Sequence, residues 1–170
     1  MRVAVGLRLG LSLCVPHRCH CGSQVDACGI HSLVCKKAPG RSARHHALND
    51  WVARGFSSAG VPVTKGYLVG LSRTDGKRPD DLTLIPWQSG KSLCCDVTVT
   101  CPLADSYVTR AAQEAGAAAE LAASHKLEKY ANIDAGYLLE PIAVETLGAI
   151  NTLACHFLND LGNRMTKSRS

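Results

Sequence analysis

The chain is poor in aromatic residues and has no long apolar run. Aromatic side chains make up 5% of its 170 residues, so a core has to be built from alanine, valine, leucine and isoleucine. No segment approaches the roughly 18 consecutive apolar residues of a membrane-spanning helix, so we expect none. The length and the hydrophobic content of 46% are those of a chain that buries a core. They predict one globular domain, or one domain with a small appended module.

Charged residues are also few, at 19%, and the net charge of +5 permits a polyanionic partner without requiring one. The N-terminal segment lacks the features of a secretory signal, because Arg8 interrupts its apolar run and no small-residue cleavage site follows. We therefore expect a reducing, intracellular location. Residues 1–13 alternate weakly, as a strand or a helix end would, and we expect them to be the remnant of an upstream segment.

Cysteine is abundant, and five of the nine cysteines lie within residues 14–40, mixed with histidines. A secreted chain would use them for disulfides, but cysteine interleaved with histidine in an ordinary globular sequence is typical of a reduced zinc site. Cys19 and Cys21 are followed by a glycine-rich turn, and then by His31 and Cys35 one helical turn apart. These four residues fit the tetrahedral Cys₃His set of structural zinc.

The zinc ligands are not unique on sequence alone. Cys14 and Cys28 lie in the same segment and are alternative ligands. A group of free thiols is the competing interpretation of the whole segment. If zinc binds, we expect the segment to depend on it, because so small a module does not fold alone without its metal.

Periodicity predicts a helix over residues 42–59, begun by Ser42 and ended by Gly60. Its apolar face is predicted to hold Leu48, Trp51, Val52 and Phe56. "GVPVT" is predicted as a short strand and "KGYLVGLSRTDG" as a loop. "DDLTLIPW" and "KSLCCDVTVTC" are predicted as strands that the turn "QSGK" joins into an antiparallel hairpin.

The second half of the chain is predicted to continue with a long alanine-rich helix, capped by Asp105 or Ser106 and ending near Tyr130. "AGYLLE" follows as a short edge strand, and Pro141 is predicted in the first turn of a final helix that ends near Leu161. The order is then zinc module, α, β, β, β, α, β, α. This order predicts an α/β or α+β fold in which helices cover a sheet.

Asp96 stands among β-forming residues in "LCCDVTV", where a buried carboxylate without a partner is costly. A divalent cation shared with Asp80 would explain it. A hairpin centred on Ser89 pairs position 82 with 96 and position 80 with 98, which puts both carboxylates on one face. The competing interpretation is a surface hairpin in which Asp80 pairs with Lys77 or Arg78.

Five motifs in order resemble one family. They are the Cys/His segment, "RSARHHALNDW", "GKRPDDLTLIPW", "CDVTV" and "HKLEKY". Together they resemble the restriction-like endonuclease domain at the C-terminus of site-specific non-long-terminal-repeat retrotransposon reverse transcriptases, with its CCHC-type zinc knuckle. The resemblance implies a PD-(D/E)xK nuclease fold, a mixed sheet flanked by helices. It predicts a knuckle at 14–40, a nuclease domain at 41–165 and a tail at 166–170.

The resemblance also implies roles for individual residues. Asp80 and Asp96 match the acids that hold catalytic Mg²⁺ or Mn²⁺, while Thr98 stands where the standard motif has lysine. Lys126 and Lys129 match the lysine that the retrotransposon branch takes from the following helix, although each could be an ordinary solvated charge. The implied reaction is metal-assisted phosphodiester hydrolysis, with lysine orienting the water or offsetting charge. The residues implied to contact nucleic acid are Arg44, His45 and Arg78.

One departure from the family pattern concerns a third acid. Sequences of this type often carry a glutamate in the segment that corresponds to "VTKGYLVGLSR", but this chain has no acidic residue between Asp50 and Asp75. We therefore expect weak or absent cleavage on a surviving fold. Gly66 is the position where restoring a glutamate would test this expectation.

Three functions compete at this stage. The first is a DNA endonuclease, or its degenerate remnant, that nicks a target site. The second is a non-catalytic zinc-containing module that binds nucleic acid, and the third is a domain kept for protein interaction. The resemblance implies target DNA as partner, with element RNA or an upstream reverse transcriptase as further candidates and no membrane. A DNA substrate would imply a nuclear location.

Overall fold

The computed structural model describes residues 2–66, 78–133 and 135–168. Within these ranges the chain forms a mixed α/β fold with an N-terminal Cys/His segment. The helices are α1 (Arg2–Arg8), α2 (Ile30–Val34), α3 (Pro39–Ser58), α4 (Val108–Ala111), α5 (Ala117–Lys129) and α6 (Thr152–Ser168). The strands are β1 (His17–Arg18), β2 (Gln24–Val25), β3 (Val63–Lys65), β4 (Asp81–Thr83), β5 (Ser92–Thr100) and β6 (Tyr137–Glu145).

The main sheet has four strands in the order β3-β4-β5-β6. β3 and β4 run antiparallel to their neighbours, while β5 and β6 are parallel. Parallel strands need a long crossover, and α4 and α5 supply it here. β1 and β2 form a separate two-stranded antiparallel ribbon. The expected sheet covered by helices is therefore confirmed at this level.

The two faces of the sheet pack in different ways. On one face α3 and α6 bury an aromatic group, in which the rings of Phe56, Trp87 and Phe157 lie 5.6–5.7 Å apart between centroids. On the other face α5 packs its alanines closely against Ala143 of β6. The side chain of Glu145 accepts hydrogen bonds from the amides of Ala118 and Ala119, which satisfies donors at the start of α5. These hydrogen bonds hold the start of α5 against the sheet.

The helix predicted over 42–59 begins earlier than expected. It starts at Pro39, because proline suits the first helical turn, and Ser42 is not its cap. Gly60 ends it as predicted, with φ at 69°. Of the predicted apolar face, Val52 and Phe56 are buried, but Trp51 is 72% exposed and the prediction for it was wrong.

The hairpin register differs from the prediction by two residues. Leu82 pairs with Cys94, so position 80 lies opposite 96 rather than 98. The "QSGK" turn is present, with φ of 51° at Ser89 and 76° at Gly90, but β4 stops at Thr83. The amide of Leu84 donates to the carbonyl of Pro62, so the pairing of β4 with β5 ends before the turn. Because the shift is an even number, both aspartates keep the same face.

The second half of the chain holds three further corrections. Gly116, with φ at 88°, separates α4 from α5, so the single long helix capped by Asp105 or Ser106 does not form. The edge strand that was predicted to be short, β6, is nine residues long. Pro141 lies within it, opposite Asp96, and not in a helix. Proline is tolerated there because β6 is an edge strand.

The N-terminal residues take the helical alternative, as α1. Among the described helices, none combines the length and the apolar character needed to cross a membrane.

Candidate metal cluster and candidate active site

Local structure brings the predicted zinc ligands together. The β1–β2 ribbon turns through Gly22, with φ at 94°, and the amide of Cys19 donates to Ser23 across that turn. The short helix α2 follows, and its first turn carries His31. The amide of Cys35 donates to the carbonyl of His31 at 2.9 Å, so both side chains leave the same side of the helix.

The Cys/His cluster consists of Cys19, Cys21, His31 and Cys35, whose ligand atoms all lie within 4.8 Å of one another. The sulfurs of Cys19 and Cys35 are 3.8 Å apart, and a tetrahedral zinc with bonds near 2.3 Å separates two sulfurs by about 3.8 Å. The Cys21 sulfur lies closer, 3.1 Å from Nε2 of His31. Neither alternative ligand, Cys14 or Cys28, belongs to this group.

The chemistry of Cys21 also suits a metal ion, although the pKa of the neighbouring Cys19 thiol is raised. Hydrogen bonds with Ser23 lower the pKa of the Cys21 thiol to about 6, against the opposing effect of burial. A thiolate is the form that binds metal. The cluster can therefore hold a metal ion, and three sulfurs with one imidazole are compatible with structural zinc.

Asp96 is buried in the middle of β5, with 3% of its surface exposed. The ammonium of Lys126, from the last turn of α5, donates to its Oδ2 at 2.8 Å, and the ammonium of Lys129 lies 3.8 Å away. Burial raises the pKa of the Asp96 carboxyl, and Lys126 counters part of that rise. The two lysines that matched the family motif thus lie at the predicted aspartate.

Asp80 lies beside Asp96 but has different partners. Its Oδ2 accepts hydrogen bonds from the amide of Val97 at 2.8 Å and from Nε2 of His45 at 3.2 Å. The Asp80 charge contributes to the raised pKa of Asp96, so the two carboxylates are electrostatically coupled. We call Asp80, Asp96, His45, Lys126 and Lys129 the aspartate–lysine cluster. The alternative pairing of Asp80 with Lys77 lies outside the described residues.

A cavity of about 530 Å³ opens beside this cluster. Its walls come from the Cys/His segment, α3, β5 and α5, and no acidic side chain is among the residues that line it. The basic side chains in its walls are Lys36, Arg41, His45, His46 and Lys126. A concave surface of this charge attracts phosphate groups.

The other two predicted nucleic-acid contacts lie elsewhere. Arg44 lines a neighbouring smaller cavity, and Arg78 is exposed in the segment before β4. Gly66 has φ at 67°, and a Cβ placed on it would lie 3.7 Å from Nη2 of Arg78. A glutamate at residue 66 would therefore be strained and would meet Arg78. Most of the segment expected to supply a third acid lies outside the described residues.

Sequence reasoning missed two carboxyl groups on the opposite face of the sheet, of which Asp81 is buried and Glu140 is half-buried. Asp81 of β4 and Glu140 of β6 both pair with Cys95 of the central strand β5. Burial raises the pKa of Asp81 to about 6 and that of Glu140 to about 7. Both oxygens of Asp81 lack a hydrogen-bond partner in the described part of the chain. These carboxyl groups could have been found only from the strand register, because the pairing of β4, β5 and β6 puts positions 81, 95 and 140 in one row.

The role of His45 at Asp80 was also missed, since the sequence indicated only a contact with nucleic acid. No protein-family model matches the chain, and no curated protein is significantly similar to it. The family resemblance of the motifs therefore stays a prediction.

Proposed function

We propose that the chain is a divalent-metal-dependent DNA endonuclease of the restriction-like class, with a zinc knuckle before the nuclease domain. The observation that carries this proposal is the buried Asp96 beside Asp80, with Lys126 at 2.8 Å, at the margin of a basic cavity. Carboxylates are ligands of Mg²⁺, and a lysine beside them can offset negative charge during metal-assisted phosphodiester hydrolysis. The proposal includes target DNA as substrate and a nuclear location.

In this proposal Asp80 and Asp96 hold Mg²⁺ or Mn²⁺, which when bound would polarise the scissile phosphate and lower the pKa of a water. His45 and the Val97 amide fix the orientation of the Asp80 carboxylate. Lys126 offsets the negative charge of the phosphate or orients the attacking water. The basic walls of the cavity position the phosphate backbone of the DNA beside these groups.

A second candidate function is a non-catalytic module that binds nucleic acid. The observation that favours it is the ion pair between Asp96 and Lys126, because this pair neutralises Asp96 without a metal ion. The absence of an acidic residue between Asp50 and Asp75 in the sequence points the same way. Both functions use the basic cavity, so only metal-dependent cleavage separates them.

The test is nicking of supercoiled plasmid by the zinc-loaded chain, with and without Mg²⁺ or Mn²⁺. Because the third acid is missing, we expect weak metal-dependent nicking, and we expect it to fall by about 10²-fold or more in Asp96→Ala. Asp105→Ala is the matched control, because Asp105 is exposed and lies outside both clusters. Asp80→Asn serves as a second variant if Asp96→Ala fails to fold.

DNA binding is measured on the same proteins. Binding that persists while nicking is lost in both aspartate variants supports the endonuclease. If the folded, zinc-loaded chain binds DNA but never nicks it, the endonuclease proposal is rejected and the non-catalytic module is supported.

A further inference from the structure

A second cavity, of about 220 Å³, lies at the carboxyl ends of the parallel strands β5 and β6. Thr100 ends β5, and Thr146 follows the last residue of β6. The amide of Thr146 donates to the carbonyl of Thr100 at 2.8 Å, which holds the two threonines side by side. Arg44 from α3 also lines the cavity. Ligands of α/β sheets commonly bind beyond the carboxyl ends of the strands.

Three polar atoms around this cavity have no hydrogen-bond partner among the described residues. They are Oγ1 of Thr100, Oγ1 of Thr146 and Nε of Arg44, and all three are buried. Thr100 is 5% exposed. Buried polar groups normally find a partner, because leaving one unpaired destabilises the fold. All three atoms belong to residues that line this one cavity.

The charge and the donors define the class of ligand. Arg41 and Lys36 also line the cavity, and no acidic side chain is among its lining residues. A guanidinium that can donate in a fork, two hydroxyls and further cations match the oxygens of a phosphate group.

We propose that this cavity is a phosphate-binding subsite for a nucleic-acid backbone, next to the candidate active site. Lys36, Arg41, Thr98 and Val99 line both cavities, so the two adjoin through a shared wall. The subsite takes a phosphodiester group adjacent to the one beside Asp96. The assignment to nucleic acid rests on the proposed function, whereas the affinity for phosphate does not.

The Cys/His segment forms part of the subsite. Leu33 and Val34 of α2, with Lys36 just beyond Cys35, supply one wall of the small cavity. Metal binding at the Cys/His cluster therefore shapes a surface that binds phosphate, and binding through this subsite depends on the metal.

The experiment compares Thr100→Val with Thr146→Val and with the double variant in the zinc-loaded full chain, without added Mg²⁺. The probes are a short single-stranded oligonucleotide and, separately, inorganic phosphate. Valine keeps the shape of threonine and removes an unpaired hydroxyl, so we expect each variant to melt no lower than the unmodified chain. We expect the double variant to bind the oligonucleotide about tenfold more weakly.

The charge of Arg44 is tested by the salt dependence of binding. Arg44→Gln should lower the slope of log affinity against log salt by about one phosphate contact. Arg54→Gln is the matched control, because it removes the same charge from an exposed position of α3 that lines neither cavity. The control should leave the slope unchanged.

The outcomes separate the sources of phosphate and the two proposals. Stabilisation by inorganic phosphate that the threonine variants abolish, with oligonucleotide affinity unchanged, would overturn the assignment to nucleic acid. Unchanged responses to both probes would overturn the subsite, whether or not the chain nicks plasmid. Threonine-dependent binding in a chain that never nicks would support the subsite and reject the catalytic proposal.

Discussion

The four ligands of the Cys/His cluster come from the single stretch Cys19–Cys35, whereas the aspartate–lysine cluster draws on α3, β5, α5 and the residue before β4. The two clusters also differ in how they stand without a metal ion. The aspartates already contact cationic or donor groups, while the three thiols of the Cys/His cluster contact mainly one another and one imidazole. We therefore expect the Cys/His cluster to depend on a bound metal ion for its stability and the aspartate–lysine cluster not to.

The largest effect is expected on removing zinc, which should act on the Cys/His segment and not on the sheet. A chelator should unfold the Cys/His segment, because zinc contributes about 10–16 kcal/mol to modules of this size. The sheet should stay folded, because its core packs without a metal. Thiol reactivity measures the unfolding of the Cys/His segment and the integrity of the sheet in one experiment. Cys19, Cys21 and Cys35 should become reactive, while Cys94 and Cys95, each 0% exposed, stay protected.

Cys35→Ser and Cys14→Ser sharpen this experiment as a pair. The first removes a ligand and should abolish stoichiometric zinc binding. The second removes a thiol outside the cluster and should leave zinc binding intact. Simultaneous exposure of Cys94 and Cys95 on chelation would show that the two regions unfold as one.

The same contrast explains what could be predicted from the sequence. The members of the Cys/His cluster were predictable as a set because they lie within one short stretch, but only the structure separates them from the alternatives Cys14 and Cys28. The Asp80–Asp96 pairing survived a two-residue error in register, because only the parity of the pairing decides the face. The helix assigned at Pro141 failed because a proline on an edge strand has the same local signal as one at a helix start. The role of His45 depends on long-range packing and has no local signal.

The next largest effect is expected on removing the cation from Asp96. Lys126→Met leaves a carboxylate that is 3% exposed without its nearest ammonium, which should destabilise the fold by about 3–5 kcal/mol at neutral pH. Lys129→Met is the matched comparison and should cost less, because that ammonium lies 3.8 Å away. Chemical denaturation of the three proteins measures both effects.

A double variant identifies the cause of this loss. Adding Asp96→Asn to Lys126→Met should recover part of the stability, since the remaining buried side chain is then neutral. Equal losses in Lys126→Met with and without Asp96→Asn would show that Lys126 acts by packing and not by charge.

The smallest effect concerns Asp81, the buried carboxyl group on the opposite face, which has no cation in hydrogen-bond contact within the described ranges. Burial raises its pKa from 3.8 to about 6, with Lys65 opposing that rise and with Asp80 and Asp50 adding to it. The folded state therefore binds this proton more tightly than the unfolded chain does. Its contribution to stability is fully present below the unfolded pKa of 3.8 and is lost as the pH rises through about 6.

Asp81→Asn removes this titration, so the unmodified chain should lose stability relative to the variant by about 2 kcal/mol between pH 4 and pH 7. Asp105→Asn, at an exposed position, should show no such trend. Denaturation midpoints at several pH values provide the measurement. A stability gap that stays constant with pH would mean that Asp81 is ionised throughout the range, and the contrast with the ion-paired Asp96 would then disappear.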